Sequence, residues 1–220
     1  MAPITITVTG NSSIDARPEQ AVLSLQVKSD GPSKDIVSKE ATATANQVQQ
    51  TFKELQAESS PPVSAFSTQS VRSGSEVPRD NDGNPRERVY FSQISFEATF
   101  HDFERLGQVT GRLSAHPNIE ICNVDWRLTD ATKKDLSSRA RKQAMVDAIQ
   151  KAKDYADVIG REVVPVEITD TDCSYGYPPR MMANCMAAPG LGAEDEREDL
   201  DLTPRNIDVT NSVQVNFKGE

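Results

Sequence analysis

The sequence predicts an α+β protein with mixed or antiparallel sheets, each carrying one apolar face packed by two main helices. Three observations predict it. Alternating segments open and close the chain: residues 4–28, ITITVTGNSSIDARPEQAVLSLQVK, and residues 205–217, RNIDVTNSVQVNF. Apolar residues two apart line one face of a strand. Between these ends lie two stretches with helical spacing, near 33–55 and 132–159, where apolar residues recur every three or four positions.

Taken in order, Ile4, Ile6 and Val8 alternate with threonines, and Gly10-Asn11-Ser12 marks a break. Ala21, Leu23, Leu25 and Val27 form a second strand, read as a hairpin-like partner of the first. Ser33 can cap a helix whose stripe is Val37, Ala41, Ala45, Val48, Phe52 and Leu55. Ser59-Ser60-Pro61-Pro62 ends it. Residues 63–71 are a third strand, and 73–88 a polar loop with its turn at Asp82-Gly83. Residues 89–100 alternate strongly, and Asp102 can cap a short helix to Ser114. Residues 120–128 are a strand with Cys122, Val124, Trp126 and Leu128 on one side. Asp130 can cap the long helix, with a stripe of Leu136, Ala140, Ala144, Ala148, Ala152 and Tyr155, and Gly160 can close it. Residues 162–169 are a strand with Val164, Val166 and Ile168 inward. A loop at 170–204, rich in Pro and Met and then in acids, precedes the last strand. Loops of that length are often functional.

Composition narrows the function. Hydrophobic residues are 36% and charged residues 26% of 220, and no stretch reaches the roughly 20 apolar residues of a membrane span. The start, MAPITITVTG, has no basic and apolar leader pattern, so the expectation is a cytoplasmic protein or one whose leader has been removed. The net charge is −9, and Glu194–Asp201 alone contributes six acids and one base. The remainder is near neutral and shows no basic face for nucleic acid. Three cysteines, Cys122, Cys173 and Cys185, are an odd count that argues against a secreted disulfide scaffold. Cys122, within a strand pattern, is expected to be a small buried hydrophobe.

With its elements placed, the chain resembles the SIMPL-domain family, which includes bacterial periplasmic immunogenic proteins. ITVTGNSSIDARPEQAVLSLQV is similar to that family's start, including its Ala-x-Pro-(Asp/Glu)-x-Ala step, here Ala16-Arg17-Pro18-Glu19-Gln20-Ala21. HDFERLG and ARKQAMVDAIQKAKDYADVIG resemble two of its helical segments. Tyr175-Gly176-Tyr177-Pro178-Pro179 and Met181-Met182 resemble its variable loop before the last strand. The resemblance implies one SIMPL-like domain over 1–220, an α+β fold of two intertwined βα halves at about 1–100 and 101–220, and a tendency to form homo-oligomers. It supplies no catalytic residue set.

No Ser-His-Asp order, nucleophile elbow or phosphate loop stands out. His101 and His116 fit capping or surface roles, no metal site is defined, and no cofactor is expected. Cys173, Met181, Met182, Cys185 and Met186 offer soft donors that suit Cu(I), but no spacing among them matches a defined metal site, and an adaptable loop that packs on a neighbouring subunit is the favoured reading. The polar sheet positions Gln26, Gln93, Glu97, Asp125, Arg127, Asp208, Thr210 and Gln214 are solvated, form an assembly surface, or floor a pocket. In a pocket, Glu97, Asp125 or Asp208 would be acid or base and Arg127 an anion contact. Tyr175, Tyr177 and Met181 would then join Gln26, Gln93 and Gln214 in binding. Three functions follow as expectations. The first is a non-catalytic protein that self-associates and binds a partner protein or small apolar ligand. The second is an enzyme or ligand-shaping protein working on an apolar metabolite under the 170–204 loop. The third is a soft-metal or redox-responsive protein.

Overall fold

The computed structural model describes residues 4–176 and 202–219. Its strands and helices run β1 (Ile4–Ala16), β2 (Gln20–Gly31), α1 (Lys34–Ala57), β3 (Val63–Glu76), β4 (Val89–Phe100), α2 (Phe103–Ser114), β5 (Ile119–Arg127), α3 (Asp130–Ile159), β6 (Val163–Asp170), β7 (Ser174–Gly176) and β8 (Ile207–Gly219). The elements group into two compact α+β units, each with its own antiparallel sheet.

The first unit holds β2, α1, β3, β4, α2 and β5, with sheet order β3-β4-β2-β5. Ala21, Leu23, Leu25 and Val27 of β2 lie beside Ile94, Phe96, Ala98 and Phe100 of β4 on one face. The predicted α1 stripe, from Val37 to Leu55, is buried throughout, and α2 adds Leu106, Val109 and Leu113 to the same core. Phe52 meets Phe100 edge-on, with ring centroids 6.4 Å apart. Each such large buried side chain contributes roughly 1.5–3 kcal/mol relative to exposure. Asp102 caps α2 as its sequence predicts, its side chain accepting from the Arg105 N–H. The polar stretch 73–88 is the end of a hairpin. β3 and β4 stay paired out to Glu76 and Val89, and the turn beyond them places Gly83 at φ 85°. The Asp80 carboxylate accepts the N–H groups of Asp82 and Asn84 there.

β5 corrects one expectation. A bulge shifts its register, so Ser24 faces Asn123 while Leu25 faces Ile121. Cys122 is the extra residue and is exposed, not buried. A bulge leaves its extra residue outside the ladder and breaks the period of two. The core-facing residues are therefore Ile119 and Ile121 before it, and Val124 and Trp126 after it.

The second unit holds β1, α3, β6, β7 and β8. Its sheet runs β1-β8-β6, with β7 also on β8. β1 does not pair with β2. It runs unbroken through Gly10-Asn11-Ser12 and pairs with β8 along all 13 residues, from Ile4↔Gly219 to Ala16↔Ile207. Helix α3 crosses the inner face of both strands. Thr129, not Asp130, is its N-cap, and Gly160 at φ 67° closes it. The buried stripe is Leu136, Ala140, Ala144, Ala148, Ala152 and Ala156, while Tyr155 points outward and is 60% exposed.

Gly10 explains why that stripe is alanine. A Cβ on Gly10 would lie 2.0 Å from the Ala144 carbonyl oxygen and 2.7 Å from the Ala148 nitrogen. Strand and helix backbones touch here, which only the smallest side chains on both sides permit. The Ser12 hydroxyl, one inward position on, donates to the Ala140 carbonyl at 2.8 Å.

β6 departs from its predicted orientation. Val164, Val166 and Ile168 are all exposed, and Val163 packs on the core instead. Val164 lies opposite Lys218 on the outer face, and Val166 sits in a bulge between Pro165 and Glu167. Ile168 lies opposite the buried Val215, but α3 packs over β1 and β8 and barely meets β6.

Candidate functional site

In the unit built on β2 to β5, helices cover one sheet face and the other carries an ordered polar lattice. Antiparallel register fixes its rows. Ser95 and Gln26 lie side by side with Glu120 beyond them, and Ser67, Glu97, Ser24 and Asn123 form the next row. Side chains opposite one another on a face are close enough to bond. Gln93 donates to the Gln26 side-chain carbonyl, and Gln26 donates onward to Glu120 at 3.2 Å. Lys28 pairs with the same Glu120 carboxylate. Gln69 donates to Glu97 at 3.0 Å, Ser70 bonds Ser95, and Arg127 pairs with Asp125 at 2.8 Å.

The expected residues Gln26, Gln93, Glu97, Asp125 and Arg127 therefore share this face. Lys28, Gln69 and Glu120 belong to the same lattice and were not anticipated. Alternation alone puts Lys28 on the polar side, but joining it to Glu120 needs the β2–β5 register. Cys122 sits next to the lattice, its thiol pushed up by burial and then by the negative charge of Glu120.

Asp208, Thr210 and Gln214 lie on the outer face of the other unit's sheet, opposite Asp15, Ser13 and Thr9. Ser13 donates to Asp208, and Asn216 bridges Thr7 and Glu167. Tyr175 is on β7. Its hydroxyl bonds the Ser137 hydroxyl and donates to the Lys133 carbonyl, which ties it to α3. Cys173 packs beside Leu136 and Val209. Tyr177, Met181, Met182, Cys185, Met186 and the acidic run lie outside the described residues. Among the described residues no group of three or more His, Cys, Asp or Glu could hold a metal ion.

These features define a class: an α+β protein of two sheet-and-helix units whose outer sheet faces carry hydrogen-bonded polar side chains. The chain belongs to the SIMPL family, described as a protein of unknown function (DUF541), whose family model matches residues 6–217. No curated protein matches it significantly. Among the described residues no helix is long and apolar enough to cross a membrane.

Proposed function

We propose that the chain is an interaction protein that self-associates and meets a partner protein or small ligand through its sheets, acting by binding rather than by catalysis. The observation that carries this reading is a pair of long edge strands. Among the described residues β1, of 13 residues, pairs only with β8, and β3, of 14 residues, pairs only with β4. An edge with unpaired N–H and C=O groups is a ready template for another strand. The polar lattice supports the same reading. Its charges are already matched in solvent-exposed pairs such as Lys28–Glu120 and Arg127–Asp125, an arrangement suited to exchanging bonds with a docking surface. Among the described residues Cys122 and Cys173 are free thiols, which fits a reducing compartment such as the cytoplasm.

Sedimentation velocity over a wide concentration range tests the reading. A mass that is a multiple of one chain is expected. A single-chain mass at the highest concentration overturns it.

A further inference from the structure

We propose that the first half of β1 is where two copies of this chain join, strand to strand, with their α3 helices side by side. This rests on the self-association proposed above and assigns it a surface and a register. The residues of β1 with outward backbone groups are the odd-numbered ones. The Asn11 N–H donates to the Asp147 carboxylate at 2.8 Å, and the Thr9 carbonyl accepts from the Lys151 ammonium at 2.9 Å. These two α3 side chains, paired with each other at 2.6 Å, occupy the edge at Thr9 and Asn11. Ahead of them the outward N–H and C=O groups of Thr5 and Thr7 have no partner among the described residues.

Beside this open stretch runs a groove of about 810 Å³, walled by Ile4–Thr9 on one side and by Lys151, Tyr155, Val158 and Ile159 on the other. Tyr155 is 60% and Val158 87% exposed. Apolar side chains gathered beside a bare strand edge mark a contact surface.

Three features select a second copy as the occupant. The first is register. A two-fold axis through Ile6 sets Thr5 of each copy opposite Thr7 of the other and closes four hydrogen bonds using only free groups. Sliding by two residues one way enlists the Thr9 carbonyl, already held by Lys151. Sliding the other way enlists Pro3, which has no N–H to give. The second is the helix face. The same axis, normal to the sheet, keeps both α3 helices on one side of the joined sheet, so that Tyr155, Val158 and Ile159, which wall the groove beside β1 in each copy, meet their counterparts across the junction. The third is area. Five strand residues with Tyr155, Val158 and Ile159 from each copy bury on the order of 1,000 Å² in all, enough for a specific but concentration-dependent pair.

The test compares wild type with Thr5→Pro and Val158→Asp by sedimentation velocity, with far-UV circular dichroism as the fold control. Proline is tolerated where an edge N–H faces outward, and residue 158 is a solvent-exposed helix position. Each variant is expected to raise the dissociation constant about tenfold or more and to shift the mass to half the wild-type assembly. Ile6→Cys provides a second measurement. In this register the two residues at position 6 are directly opposed, so mild oxidation should give a covalent dimer that wild type, with its own cysteines, does not give. A wild-type assembly untouched by both variants and not trapped by Ile6→Cys overturns this junction while leaving self-association in place. A single-chain wild type at every concentration, with or without a co-purifying small molecule, overturns both.

Discussion

Replacing Gly10 by alanine adds one methyl group and tests the close approach of β1 and α3. In an ordinary strand the change stabilises, because alanine loses less chain entropy than glycine. Here the new Cβ would sit 2.0 Å from the Ala144 oxygen, 2.7 Å from the Ala148 nitrogen and 2.8 Å from the Ala148 Cβ, where ordinary contact begins at 3.4 Å. Two of these three atoms are backbone, so no rotamer change relieves the clash. The helix must lift from the sheet by more than 1 Å, and that separation opens gaps around Ala144, Ala148 and Ala152, which are fully buried. Overpacking a tight core costs about 1–3 kcal/mol, and contact with unyielding backbone places Gly10→Ala at or above the top of that range. Gly111→Ala is the control: it lies in α2 with nothing within 4 Å of its new Cβ. It should stabilise by roughly 0.5–1 kcal/mol. Urea unfolding followed by far-UV circular dichroism reads both. A Gly10→Ala transition within about 1 kcal/mol of wild type, below the overpacking range, would refute the backbone contact.

Ala148→Arg should unfold or grossly destabilise the unit built on β1 and β8, since Ala148 is 0% exposed in an alanine seam with no room for a charged chain; a wild-type melting curve would count against the placement of α3. The Asp147 carboxyl is held below its ordinary value by the hydrogen bond from Lys151 and then by the Asn11 N–H. A lowered folded-state pKa gives stability that is present above the unfolded value and lost as pH falls through the folded one. Asp147→Asn should therefore be less stable than wild type near neutrality, with the difference closing in acid, as a series of melts from neutral pH downward would read. Because Glu120 helps hold the Cys122 thiol in its protonated form, Glu120→Gln should speed modification of Cys122 by a thiol reagent at mildly alkaline pH; an unchanged rate would remove Glu120 as a cause. Tyr175→Phe should cost about 1 kcal/mol or less through its lost bonds to Ser137 and Lys133.

Helix faces were legible because their period is local. The α1 stripe from Val37 to Leu55 is buried as spaced, and the α3 stripe fails only at its last member, where Ala156 takes the place given to Tyr155. Strand partners were not legible, because alternation says which residues share a face and nothing about the neighbouring strand. β1 and β2, adjacent in sequence, belong to different sheets. Gly10-Asn11-Ser12 has the composition of a polar turn, whereas Gly10 is the point where helix α3 meets the strand backbone. The two departures from expected burial have different causes: at Cys122 a bulge changes the parity that alternation assumes, whereas in β6 Val164 faces outward ahead of its bulge and Ile168 lies beyond the cover of α3. The polar positions of the candidate site were visible one strand at a time. Their linkage through Gln26 and Glu120 required the three-strand register.

The zipper between β1 and β8 also sets a timetable for synthesis. β8 is the strand on which the others of its sheet depend, and it is made last. On a ribosome adding roughly 5–20 residues per second, β1 emerges some ten to forty seconds before its partner β8. The elements from β2 to β5 can condense in that interval, while the first strand of the other sheet waits exposed. Its threonines and the polar run Asn11-Ser12-Ser13 keep that waiting segment less sticky than a continuous apolar strand would be. Nascent chains halted before residue 207 should hold β1 open to proteases, and release of the final strand should close it.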